Sequence, residues 1–258
     1  MSRALLSNLC GDLASGTLAG METTPTNAGR TARDRARAEL TREIKDEARR
    51  QLAVGELSLR AVSRALGMVS SALYRYFPSR DDLLTALIID AYNSLGDTVE
   101  VADPGPVAPP RQRWLRACAK VREWAQANRH EYALIYGSPI PGYQAPQDTV
   151  VPGTRVSLLL VGIVNDAWHA GDMAEPATTP PLPPELAAEL DRLTALIELD
   201  LPPAVLARAL IAWTQLFGLV SFELFGQLVG IADPTGYFFD HAAEQMATFI
   251  GLPEHNQD

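Results

Sequence analysis

Residues 58–84, SLRAVSRALGMVSSALYRYFPSRDDLL, gather four arginines, three aromatic rings and five serines around a single glycine, Gly67. These side chains suit the recognition of phosphates and base edges better than the making of bonds. A guanidinium fork fits guanine O6 and N7 or a phosphate, and a serine hydroxyl donates or accepts. An alanine methyl can touch the methyl of thymine. Catalytic patterns are missing by comparison. The sequence has no G-x-S-x-G elbow, no G-x-G-x-x-G and no phosphate-binding G-x-x-x-x-G-K. HEYAL at 130–134 begins like a zinc-protease motif, but Leu134 stands where the second histidine belongs. Asp166 and His169 share a helix face without a third ligand, and His130, His241 and His255 are scattered. No enzyme, metal or cofactor is expected.

The elements that must position these residues read as helices. Hydrophobic residues make up 47% of the 258 and charged residues 21%, the balance of a folded globular chain. Strand alternation with hairpin dipeptides is absent, so the expected fold class is all-α. Residues 1–30, rich in small and polar types, read as a flexible tail, with Met21 an alternative start. Cys10 and Cys118 give neither a disulfide framework nor metal spacing. No run of 18 apolar residues occurs and the opening is a poor signal peptide, so a cytoplasmic protein is expected. The stretches 103–110, 137–146 and 173–184 are proline-rich and hostile to helix.

Ala36, Leu40, Ile44, Ala48 and Leu52 recur every four residues and predict a first helix over about 34–54. Gly55 is expected to stop it in a left-handed conformation, and Ser58 to cap the next helix. There Val62, Ala65 and Leu66 form the expected buried face, and Gly67 ends it. A third helix carries Leu73 and Phe77 inward, Pro78 ends it, Ser79 caps again, and Leu83, Leu84, Leu87 and Ile88 drive a longer helix to about Val99. Two short helices around a glycine turn, packed on a longer first helix, make a helix-turn-helix. Charge agrees with that reading. Residues 30–82 hold 12 Lys/Arg against 8 Asp/Glu, whereas the rest of the chain holds 10 against 23. A cationic module on an anionic body is the arrangement expected when one end meets phosphates.

The stretch from about 34 to 100 strongly resembles the N-terminal domain of the TetR family of bacterial transcriptional regulators. Gly55, Ser58, Val62, Gly67, Leu73-Tyr74, Phe77 and Leu83-Leu84 stand in the family's register. It departs at Ala53, where an aromatic is usual, at Ser63 in place of alanine, and at Val69 in place of a small hydroxyl residue. In a recognition helix of this kind Ser70, Ser71 and Ala72 face base edges. The resemblance implies that Arg60 reaches a base or phosphate, and that Ser58 and Arg80 face the backbone. Tyr74 and Tyr76, on the side away from Leu73 and Phe77, are expected at phosphates with Arg75 nearby. Arginines at 30, 33, 35 and 37 form either a minor-groove arm or a solvated helix start.

From Pro110 onward helices are expected at about 110–128, 129–137, 152–171, 184–199, 203–230 and 234–251. The fifth, PAVLARALIAWTQLFGLVSFELFGQLVG, is apolar nearly all round and must be buried on several faces. The resemblance implies that the last two helices pair with their copies in a homodimer, which reads a near-palindromic double-stranded DNA operator. The chain then divides into a tail (1–30), a DNA-binding domain (31–100) and a ligand-binding and dimerisation domain (101–258). WTQLFGLVSFELFG with GSPIPGYQAP also resembles the WHG type of C-terminal domain, although Phe217 precedes Gly218 where that name implies histidine. Trp124, Tyr132, Tyr136, Trp168, Trp213 and Phe217 are the candidate ligand contacts for a small-molecule effector, against the ordinary alternative that helical aromatics are core. The competing reading is a helical protein-interaction dimer whose helix-turn-helix is only structural.

Overall fold

The computed structural model describes residues 32–55, 57–175 and 180–254, so the expected tail at 1–30 lies outside the described residues. Those residues form helices without a strand. In chain order they are α1 (Ala32–Val54), α2 (Leu59–Ala65), α3 (Ser70–Leu73), α4 (Arg80–Ala102), α5 (Pro110–Ala127), α6 (Arg129–Tyr136), α7 (Val150–Ala170), α8 (Pro184–Leu196), α9 (Pro203–Leu224) and α10 (Thr235–Ile250). A single 3-10 turn, Gln147–Thr149, leads into α7.

Two apolar clusters organise them. The smaller takes Ile44 and Ala48 from α1, Val62 from α2, Leu73 and Phe77 around α3, and Leu83, Leu84 and Leu87 from α4. The larger takes Ala91, Leu95 and Val99 from the second half of α4, with Trp114, Tyr132, Leu160, Leu206 and Leu216 among its buried members. One continuous helix therefore enters both cores.

Local chemistry explains the breaks. Gly67 has φ +64°, its N–H donates to Arg64 O (3.2 Å), and Met68 N–H donates to Ser63 O (2.8 Å). That pair of bonds is a Schellman ending, which a glycine satisfies without a Cβ clash. Ser79 Oγ accepts from Asp82 N–H at 3.0 Å and donates to the Asp82 carboxylate at 2.7 Å, capping α4.

Several expectations need correction. Gly55 is not in the left-handed region, and Ser58 sits at the N-cap of α2 without a side-chain capping bond. Ala65 faces solvent, and Ser63 takes the buried place, because Leu59 and Ser63 stack one helical turn apart on the inner face. Its hydroxyl is satisfied by Arg60 O at 3.0 Å. Ala36 is exposed, since the first turns of α1 project beyond the core. The helix expected to reach 230 ends at Leu224, because Gly226 and Gly230 both adopt positive φ. Although no uninterrupted apolar run of 18 exists, the segments Gln147–Ala170 and Pro203–Leu224 are long and apolar enough, by length and composition, to cross a membrane. Part of each packs inside the larger core.

Candidate nucleic-acid interface and interior cavity

The short turn at Gly67 sets α3 against α2, and Leu73 and Phe77, both buried, anchor α3 from below. Its outer side is thereby turned to solvent: Ser70, Ser71 and Arg75 are exposed and Ala72 is half-buried. Ser58, Arg60, Tyr74 and Arg80 line one open groove together with Ser79 and Pro78. Four of the nine expected contact residues thus meet at the start of α4. Arg80 is held there by donation from Nε to Leu57 O at 3.3 Å, with Asp81 at 3.6 Å. Arg60, Arg64 and Arg75 are exposed and form no ion pair among the described residues.

Two of the nine are placed differently from the expectation. Ser70 Oγ lies 3.2 Å from Ser63 Oγ, so this hydroxyl is already bonded inward. Tyr76 is half-buried on the smaller core, and the Arg37 guanidinium lies 5.2 Å from its ring centre. Tyr74, at 43% exposure, is the open ring. Sequence reasoning missed Ser79 as lining of this groove, readable from its cap position, and Ser63 as the buried partner of Ser70, which was not.

Behind this end, a cavity of about 420 Å³ opens where α4, α6, α7 and α9 meet the loop 137–146. Of the six aromatics suspected, Tyr136 and Trp213 line it. Phe217 backs the lining, its ring centre 4.3 Å from that of Tyr136. Tyr132 is fully buried and donates to Phe217 O or shares a bond with Ser221, each at 2.9 Å. Trp124 is core, its indole N–H donating to Ser94 Oγ at 2.9 Å. Trp168 stands on the surface at 41% exposure, because it falls on the outer side of α7 from Val164 and Ala167. Tyr92 and Tyr143 line the cavity unforeseen. Tyr143 lay in a flagged loop, but nothing local in the sequence marks Tyr92. Burial pushes the phenols of Tyr136, Tyr92 and Tyr143 above their ordinary range and that of Tyr132 up to about 12, so all four stay neutral near pH 7.

The chain matches two family models. Residues 44–87 match "Bacterial regulatory proteins, tetR family", and residues 114–246 match "Tetracyclin repressor-like, C-terminal domain". It is 39% identical to HTH-type transcriptional regulator Rv1816 of Mycobacterium tuberculosis, over 85% of this chain and 95% of that protein. HTH-type transcriptional regulator Mb1846 of Mycobacterium bovis matches to the same extent. Among solved structures, the regulatory protein SCO4313 superposes with a TM-score of 0.70 at 32% identity, covering 84% of this chain and 100% of that one. A Rhodococcus protein of unknown function gives 0.60 at 24% identity, covering 90% and 100%, which speaks for the fold alone.

Proposed function

The chain belongs to the TetR family of bacterial regulatory proteins, and on that premise we propose that it is a ligand-responsive, sequence-specific repressor that binds a near-palindromic operator as a homodimer. The observation that carries the DNA-reading part is the groove where Ser58, Arg60, Tyr74 and Arg80 converge beside the exposed Ser71 and Arg75. In this reading Ser71 and Ala72 approach base edges, Arg60 reaches a base or phosphate, and Ser58, Tyr74, Arg75 and Arg80 hold the backbone. Ser70 contributes by locking α3 onto Ser63, and Tyr76 by seating Arg37.

The dimer reading is supported by α9 and α10, which leave Ile211, Phe222, Phe238 and Phe249 between 39 and 55% exposed. Apolar residues concentrated on two adjacent helices favour association. Two-fold pairing there sets two α3 helices to read half-sites about one helical turn, roughly 34–36 Å, apart. The effector reading rests on the cavity lined by Tyr136 and Trp213, within a C-terminal domain resembling the WHG type. The protein acts in the cytoplasm and catalyses no reaction.

The test is selection of bound fragments from the source genome, followed by fluorescence anisotropy against a scrambled duplex at two salt concentrations. The expected result is a preference of about a thousandfold or more for a near-palindromic site. Equal affinity for both duplexes, falling together with salt, means phosphate contact without sequence reading and overturns the proposal.

A further inference from the structure

The loop between α6 and α7 belongs to two places at once. Ile140-Pro141-Gly142-Tyr143 makes a tight turn, with Tyr143 N–H donating to Ile140 O at 3.2 Å and Gly142 at φ +77°. Proline at the second position and a left-handed glycine at the third are the signature of a type II turn, which sets its first and last residues side by side. Those two residues, Ile140 and Tyr143, line the cavity. They also pack on the smaller apolar core, and the Tyr143 hydroxyl lies 2.9 Å from Thr85 Oγ1 on α4. Thr85 is five residues beyond Arg80, in the helix whose capped start lines the DNA-facing groove. Pro139, Pro141 and Pro146 each fix φ and so restrict the loop's backbone.

The lining also has a definite chemistry. Among the described residues that line it there is no Asp, Glu, Lys, Arg or His. An ion taken into it would lose water without gaining a counter-charge, at heavy cost. What it does offer is rings. Tyr92 meets Tyr136 edge-to-face at 6.0 Å between centres, and Trp213 abuts Phe217 at 5.9 Å. Tyr92 Oη holds only a long hydrogen bond, 3.5 Å to Ile135 O. That leaves it ready to meet one polar group of an occupant.

We propose that the cavity takes an uncharged, ring-bearing organic molecule, and that the Gly137–Pro146 strap reports its presence to the DNA-reading end through Ile140 and Tyr143. This rests on the effector reading above. An occupant larger than the empty space displaces the strap, and the strap cannot move without disturbing Thr85 and the packing of Ile140 and Tyr143 on the smaller core.

Two probes that differ by one sulfonate group test this on the full chain: neutral N-phenyl-1-naphthylamine and anionic 8-anilinonaphthalene-1-sulfonate. The neutral probe is expected to saturate one site per chain and to bind at least tenfold more tightly than the sulfonate. Gly153→Leu, which fills the cavity from α7, and Ala145→Trp, which narrows its mouth, should each weaken the neutral probe at least fivefold. Amide hydrogen exchange over residues 57–90 should change when the probe binds. Thr85→Val, which removes the hydroxyl that meets Tyr143 from a residue outside the lining, should keep probe affinity within about twofold while losing at least half of that exchange response. Equal or tighter binding of the sulfonate overturns the proposal. So does neutral-probe binding untouched by both cavity variants, or a full exchange response in Thr85→Val. None of these readings needs DNA. Failure to bind any operator would sink the repressor reading and leave the cavity result standing, whereas failure of the neutral probe with operator binding intact would sink this inference alone.

Discussion

Arg113 in the body and Arg60 on α2 carry the same guanidinium into opposite surroundings. Arg113 is 6% exposed and bonds Asp103 through two nitrogens at 2.8 Å and Asp166 at 2.5 Å. Arg122 to Glu223, Arg111 to Glu244, and Arg155 to Asp97 and Glu100 repeat the arrangement. Arg60, Arg64 and Arg75 stand in water without a carboxylate partner among the described residues. The formal charge of a segment therefore says less than how its cations are spent. Those four body arginines are consumed by the fold, whereas the three around α3 are left over for a partner. Between the two lies a seam where charge is again internal: Lys45 and Arg49 of α1 pair with Asp90 of α4 at 2.9 Å, and Arg49 with Glu131 of α6 at 3.3 Å.

The sharpest way to break the comparison is to remove one arginine from each side. Arg113→Ala leaves Asp103, only 12% exposed, without its partner, and the expected loss of stability is about 3–5 kcal/mol. Urea unfolding followed by tryptophan fluorescence measures it. A loss below about 1 kcal/mol would mean that the pair is effectively solvated. Arg60→Ala should move the same curve by less than about 0.5 kcal/mol. Its effect belongs in anisotropy, where operator affinity should fall by about 1–3 kcal/mol with discrimination relaxed at one base position. An Arg60→Ala protein that binds its operator as tightly as the parent removes this residue from the interface.

Acid sharpens the contrast further. The Arg113 hydrogen bonds hold the Asp103 carboxyl below its ordinary range, and those of Arg122 do the same for Glu223. A carboxylate whose folded pKa is depressed stabilises the fold above its unfolded pKa. That stability is lost as pH falls through the ordinary carboxylate range toward the folded value. The body should therefore lose urea resistance below about pH 4, and Arg113→Ala should flatten that dependence. Glu47 of α1 is lowered as well, by Gln51 and Arg50, but Arg50 is 67% exposed and water screens that pair. A pH profile unchanged in Arg113→Ala would assign acid sensitivity elsewhere.

How much of this was legible in the sequence follows from how local each cause is. Gly67, Ser79, Pro78 and the Leu73/Phe77 spacing act within a few residues, and the helix-turn-helix they predict is the one observed. The groove residues were legible for the same reason, because a fixed turn fixes what stands beside it. The cavity is different. Tyr92 sits mid-helix and becomes lining only because α6 and α7 pack around it, while Trp168, with the same composition signal as Trp213, falls on the outside of its helix. The end of α9 was missed because an apolar run conceals a stop that only two positive-φ glycines reveal.

The smallest expected effect separates the two tyrosines that the sequence treated alike. Tyr74 stands in the groove with Arg60 and Arg80, and Tyr76 is half-buried beneath Arg37. Removing one hydroxyl leaves the ring and its packing in place, so Phe at either site tests the oxygen alone. If the Tyr74 hydroxyl donates to a phosphate, Tyr74→Phe should cost operator affinity about 0.5–1.5 kcal/mol, the worth of one hydrogen bond. The cost should be nearly equal on operator and scrambled DNA, because a phosphate contact carries no sequence information. Tyr76→Phe should change neither by more than about twofold, since what that side chain supplies is a ring for Arg37 to rest on. The reverse pattern, with Tyr76→Phe the weaker binder, would mean that DNA draws α3 and the start of α1 into an arrangement the unbound protein does not hold. Parallel anisotropy titrations of both variants at two salt concentrations distinguish these outcomes.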